Sequence, residues 1–312
     1  TKEVTIDKFA DDQFYSMTIP YLRAREYNSE LVNVTEFARK VNYISYTASY
    51  ESDGYKVNGY LTVPTGEAPE GGFPAIVFIH GYIPPSIYKT TQNYVNYVDY
   101  FARNGFVVFK PDLRGHGESE GESYGAYNSG DYVVDTLNAY SAVQKYPNVN
   151  PHAIGLWGHS MGGNVTFRSF VAKKSIPALV IWAGAVYTYD DMQSLGIDDN
   201  SYRPPMDNTK RDKYRQELRD AHGTFNNSDE FWQTVVPTNY LKGVTGNIQI
   251  HYAIDDTVVS VEYSRGLETI LENNPTISID VREYPSGGHN IISPSYDAAM
   301  QESVEFFKVH LK

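Results

Sequence analysis

Ala153-Ile154-Gly155-Leu156-Trp157-Gly158-His159-Ser160-Met161-Gly162-Gly163-Asn164-Val165 is the stretch on which the fold turns. Its first five residues form a continuous apolar run, the mark of a strand buried on both faces. Beyond Gly163 the apolar residues Val165, Phe167 and Val171 return at helical spacing. Between the two lies G-x-S-x-G. A strand that turns this sharply into a helix needs small residues beside the serine, and Gly158 and Gly162 supply them. The turn presents the Ser160 hydroxyl at the positive end of the helix.

Working outward, the same grammar repeats. Apolar runs stand at Ala75–Ile79, Phe106–Lys110, Ala178–Trp182, Ile248–Ala253 and Ile277–Tyr284. Helical stretches lie near 91–104, 131–146, 160–173, 260–273 and 295–310. Buried strands joined by helical crossovers imply an α/β fold, a mostly parallel sheet with helices on both faces. Upstream, Tyr43–Tyr50 and Val57–Val63 flank Ser52-Asp53-Gly54 and predict an antiparallel hairpin. Residues 1–42 are polar and read as an N-terminal helical extension, with a helix from Asp7 interrupted at Pro20. Residues 43–312 read as one catalytic domain. Between Trp182 and Ile248 no strand signal appears, so about 185–245 is read as a helical cap, with helices from Asn208 or Thr209 to Asp220 and from Ser228 to Tyr240. A surface excursion without a role is the alternative.

Composition excludes several classes. The 312 residues carry a net charge of −12, which disfavours a nucleic-acid partner. With no cysteine, disulfides, thiolate metal sites and cysteine nucleophiles are all ruled out. No apolar run reaches the ~18 residues of a membrane span. The chain begins at Thr1 without a signal-peptide pattern and is expected to be a bacterial-type soluble protein, secreted or cytoplasmic.

A serine hydroxyl needs a base in reach, and the base needs an orienting carboxylate. In a sheet of this kind the order is serine, acid, histidine, each after a later strand. The run ending at Ala253 leads into Ile254-Asp255-Asp256, and the run ending at Tyr284 leads into Pro285-Ser286-Gly287-Gly288-His289. Asp255 lies nearer the strand end and is taken as the acid, with Asp256 read as a helix cap or a solvated residue. His289 is the base, because it alone of the eight histidines follows the last strand on a Gly-rich loop. His80, His116, His159 and His251 sit in tight loop motifs and are read as structural. No His and carboxylate group has metal spacing, and no cofactor is expected. The oxyanion donors are the N–H groups of Met161, after the serine, and Tyr82, in the loop after Ala75–Ile79. The loop from Asp112 to Ser119 is read as mainly structural. Trp182, Tyr187 and Trp232 are candidate substrate-binding residues, within a wider aromatic set in the cap that includes Tyr202.

These residues resemble the α/β-hydrolase superfamily. They are most similar to stand-alone catalytic domains of the prolyl oligopeptidase (S9-like), acylaminoacyl-peptidase-like or dienelactone-hydrolase-like hydrolases. His80-Gly81, Asp112 to Gly117, Trp157 to Gly163, His251 to Val258 and Gly288-His289 carry the likeness. One residue departs from it: Tyr252 stands where the family has Gly. The resemblance also lacks a β-propeller, which favours a carboxylesterase over a peptidase, and it extends loosely to feruloyl esterases. The expected partner is therefore a small-molecule ester, with a short peptide or acylated amino acid as the alternative. A non-catalytic binding module on the same scaffold is the reading from another class.

Overall fold

The structure, a computed structural model, describes residues 6–196, 209–226 and 228–312. Short 3-10 turns at Ile6–Phe9 and Tyr15–Met17 lead into α1 (Ile19–Ala24). Pro20 does not interrupt this helix. It occupies the first turn, where an N–H has no intrahelical partner to lose, and Thr18 caps the end by accepting from Tyr21 N at 3.2 Å. Phe14, Met17, Ile19 and Leu22 are all buried. The buried Arg168 guanidinium ties this segment to the body, donating to the carbonyls of Met17, Ala126 and Ser129.

The extension then contributes a strand that the sequence reading missed. β1 (Val32–Arg39) pairs antiparallel with β2 (Tyr43–Ser52), which pairs with β3 (Tyr55–Pro64) across the expected hairpin. β1 is an edge strand, almost wholly exposed, with register shifts at Val32/Thr35 and Glu36/Ala38. Each irregularity breaks the two-residue period that identifies a strand.

From β4 (Phe73–Ile79) the α/β rhythm holds. It runs through α2 (Val95–Arg103), β5 (Val107–Pro111), α3 (Asp131–Gln144), β6 (Val149–His159), α4 (Met161–Ala172) and β7 (Ala178–Trp182). The insertion follows as α5 (Tyr189–Leu195), α6 (Thr209–His222) and α7 (Glu230–Val235). The chain closes with β8 (Gly246–Ala253), α8 (Glu262–Glu272), β9 (Ile277–Tyr284) and α9 (Tyr296–His310). The nine strands form one sheet in the order β1-β2-β3-β5-β4-β6-β7-β8-β9, and every pair from β5 to β9 is parallel. α2 and α9 pack one face, while α3, α4 and α8 pack the other.

The strand order reverses at β4, which has β5 on one side and β6 on the other. Open α/β sheets bind ligands beyond the strand ends at such a switch point. Ile79 at the end of β4 is in register with Gly158 of β6, so the loops His80–Tyr82 and His159–Ser160 emerge side by side.

The cap helices follow local signals. α6 spans the expected region. α7 is shorter than expected because Asp229, not Ser228, caps it, and Pro237 starts a separate 3-10 turn. Among the described residues no helix is long and apolar enough to cross a membrane.

Candidate active site

Ser160 stands between β6 and α4 at φ 54°, ψ −120°, a backbone conformation costly for any residue with a Cβ. The flanking glycines make it possible. A Cβ at Gly158 would fall 2.3 Å from Gly162 O, and one at Gly162 would fall 2.4 Å from Ile79 O. Ser160 N donates to Trp182 O at 2.9 Å, and Ser160 O accepts from Gly163 N at 2.8 Å, so the backbone is held from both sides. The Ser160 side chain is partly exposed and does not cap its helix. Met161 N–H is the first amide of α4 and has no intrahelical acceptor.

The loop after β4 closes over this turn. A Cβ on Gly81 would lie 3.2 Å from Ser160 Cβ, so the two segments touch. The His80 ring lies between two loop carbonyls, Nδ1 2.7 Å from Gly81 O and Nε2 3.0 Å from Asp112 O, and its single N–H donates to one of them. Gly81 O and Tyr82 N–H belong to one peptide unit, so holding the carbonyl aims the N–H in the opposite direction.

His289 reaches the same place from the loop after β9. The rings of His289 and His159 have centroids 4.7 Å apart, and His159 immediately precedes Ser160. His289 Nδ1 lies 2.8 Å from Asp256 Oδ2, with the Asp256 side chain 2% exposed. A carboxylate here accepts the Nδ1 proton and leaves Nε2 as the second ring nitrogen.

The carboxylate in this contact is Asp256, where the sequence reading chose Asp255. Asp255 does not touch the imidazole. Its two oxygens accept from Gly287 N at 3.2 Å and Gly288 N at 2.8 Å, shaping the loop that carries His289. Asp256 caps no helix: its Oδ1 accepts from Val258 N and Val259 N in the loop before α8, whose N-cap is Val261, and this leaves Oδ2 for His289. A turn closed by Asp256 N to Ala253 O separates the neighbours. Distance from the strand end, the criterion applied to the sequence, does not register that turn. Tyr252, the departure from the family pattern, is an ordinary residue of β8 paired with Glu283.

Of the other histidines, His152 is exposed and His222 and His310 are partly buried. His116 and His251 are fully buried, and His251 is bonded to Tyr284 and Gln249. Burial pushes His80 down to about 4, and His116, His159 and His251 down to about 3. These values lie below the ordinary 6.5, so below pH 6.5 the unfolded chain takes up protons that the folded chain refuses. Each such histidine should lower stability by about 1.4 kcal/mol per pH unit until its folded value is reached. Asp131, raised by burial to about 6, acts in the opposite sense below that pH and offsets one of them. Urea midpoints are expected to fall steadily from pH 7 to pH 5, and a flat profile would contradict this assignment.

In the Asp112 to Ser119 loop, Arg114 is clamped to Asp135 by its backbone N–H (2.9 Å) and its guanidinium (2.6 Å), with Asp53 and Asp131 close by. This network agrees with the structural reading of the loop.

The candidate substrate residues are in the core. Trp182, Tyr187 and Trp232 are each at most 2% exposed. Trp182 stacks on His251, and Trp232 Nε1 donates to His222 O. Tyr187 borders a small cavity of about 10 Å³ with Asn164 and Arg168, room for about one water. In the cap, Tyr189 stacks on Phe225, and Trp232 contacts both along with Phe231, so these rings pack largely on one another. Tyr202 lies outside the described residues. Among those described, no group of three or more His, Asp or Glu is placed to hold a metal ion.

The sheet order, the strained serine and the opposed histidine together define the architecture. The chain has the α/β-hydrolase fold. Residues 73–201 match the family model described as serine aminopeptidase, S33. The chain is 26% identical over 231 residues to the uncharacterized peptidase YtmA of Bacillus subtilis (strain 168), covering 73% of this chain and 79% of that one. Its fold matches acetyl xylan esterase 1 of Thermoanaerobacterium sp. JW/SL YS485 with a TM-score of 0.61 at 18% identity, covering 96% and 94% of the two chains. The acetyl xylan esterase of Paenibacillus sp. R4 gives a TM-score of 0.65 at 16% identity, with 98% and 96% covered.

Proposed function

We propose that this α/β-hydrolase cleaves carboxylic esters through an acyl-enzyme, with Ser160 as nucleophile, His289 as base and Asp256 as the orienting acid. The observation that carries the reading is the 2.8 Å His289–Asp256 contact beside a serine held at positive φ. His289 Nε2 takes the Ser160 proton as the oxygen attacks the ester carbonyl. The Met161 and Tyr82 N–H groups receive the developing oxyanion. His289 then protonates the leaving alcohol, and later activates the water that releases the acid. Throughout, Asp256 holds the tautomer and stabilises the imidazolium.

Esters are preferred to peptides because the chain spans nearly the whole length of the two acetyl xylan esterases. The second reading, cleavage of short peptides or acylated amino acids, is favoured by the S33 aminopeptidase match and the likeness to YtmA. A fluorophosphonate probe should label the protein at Ser160, located by peptide mapping. p-Nitrophenyl acetate should then turn over faster than alanine p-nitroanilide. Labelling elsewhere would remove the mechanism, and activity confined to the anilide would reverse the substrate ranking.

A further inference from the structure

Tyr94 stands just before α2, in the segment that joins it to β4. It is the N-cap of α2 at φ 60°, ψ 12°, a left-handed conformation uncommon for an aromatic residue. Strained positions of this kind persist only where surrounding contacts hold them, and they cluster at functional sites.

Its phenol oxygen makes two hydrogen bonds, to Gly81 N at 2.9 Å and to His159 Nδ1 at 2.6 Å. The other nitrogen of His159, Nε2, lies 2.9 Å from the carbonyl oxygen of His289. Donor and acceptor roles then follow without choice. A carbonyl only accepts, so His159 Nε2 carries a proton. Burial holds the imidazole neutral down to about pH 3, so Nδ1 is bare and accepts. The Tyr94 O–H must therefore donate to Nδ1, and its oxygen is left to accept the Gly81 N–H. The packing is tight as well as directional. A Cβ on Gly81 would fall 2.6 Å from the Tyr94 oxygen and 2.9 Å from His159 Nδ1, so glycine is required there.

The three residues joined are each next to, or part of, a proposed catalytic group. Gly81 precedes Tyr82, His159 precedes Ser160, and the carbonyl belongs to His289 itself. We propose that Tyr94 is a positioning residue, which with His159 forms a one-way hydrogen-bond relay from the amide of Gly81 to the carbonyl of His289 and fixes the oxyanion loop relative to the base. The proposal rests on the assignment of Ser160 and His289 as reacting groups, and it adds the element that keeps them in register.

The relay touches no substrate, so its loss should show in the transition state and not in binding. A small displacement of reacting groups costs on the order of 10²-fold in rate. Tyr94→Phe removes the donor to His159 and the acceptor for Gly81 while keeping the ring. Its kcat on p-nitrophenyl acetate is expected to fall about 10- to 100-fold with KM within about twofold. Nitrogen-15 NMR of the wild-type protein should show His159 as the Nε2–H tautomer, neutral from pH 5 to 8, with Nδ1 shifted by an accepted hydrogen bond. In Tyr94→Phe that Nδ1 shift should be lost. Two results would overturn the relay: a wild-type His159 protonated at Nδ1, or a Tyr94→Phe enzyme with kcat within about twofold of wild type. A rise in KM at constant kcat counts as the second. If Tyr94→Phe does not fold, the wild-type tautomer decides the question alone. A wild-type protein inert to every ester would count against ester hydrolysis, and the NMR measurement would still decide the relay.

Discussion

Replacing Ser160 with alanine should reduce ester turnover by about 10⁶-fold, to the level left by the oxyanion donors and binding alone. The size follows from the chemistry. Without the hydroxyl no acyl-enzyme forms, and His289 and Asp256 then have no nucleophile to activate, so the loss equals that of the whole unit and not one share of it. Stability should move little. The side chain makes no helix-capping hydrogen bond, while the backbone bonds to Trp182 and Gly163 survive the change. Alanine also keeps the Cβ, so the backbone at φ 54° is no more strained than before. The measurements are kcat for p-nitrophenyl acetate, fluorophosphonate labelling and the thermal midpoint. A Ser160→Ala protein that keeps even a tenth of wild-type kcat would place the nucleophile elsewhere.

The parts of this fold that were legible in sequence are those where one physical rule acts alone. β4, β7 and the Ala153–Trp157 part of β6 are buried on both faces, so their apolar runs are continuous. The turn at Ser160 was legible because sterics leave only small residues at Gly158 and Gly162. β1 was not, because an exposed edge strand has no buried face to impose alternation and its irregularities disturb the period. Pro20 misled for a related reason. Proline forbids a helix interior but suits the first turn, and only knowledge of the start at Ile19 separates the two cases.

The candidate site divides the same way. Ser160 and His289 sit at positions the topology dictates. Asp256 depends on how a four-residue turn rotates two adjacent carboxylates, and composition carries no trace of that rotation. Tyr94 has still less sequence signal. Nothing local marks it, and its meaning appears only when the β4 loop, the β6 turn and the β9 loop are brought together. The cap aromatics were candidates by position, and in the structure the rings largely pack on one another. A preference for aromatic esters therefore draws no support from Trp182, Tyr187 or Trp232, all fully buried.

The two neighbouring carboxylates supply the sharpest separation. Asp256→Asn should lower kcat by about 10⁴-fold, because an amide nitrogen facing Nδ1 favours the wrong tautomer of His289 and no longer stabilises the imidazolium. The shape of the site should persist, since an amide oxygen can still accept from Val258 N and Val259 N. Asp255→Asn removes no contact with the ring. It weakens the pair of bonds to Gly287 N and Gly288 N, keeping one acceptor where there were two. Its kcat should fall no more than about tenfold, through loosening of the His289 loop, at a cost in stability of about 1 kcal/mol. Steady-state kinetics on both variants, with thermal midpoints to separate folding from chemistry, give the ranking. The reverse order, with Asp255→Asn the crippled enzyme, would return the acid role to Asp255 and mean that the working enzyme turns the loop after β8 differently.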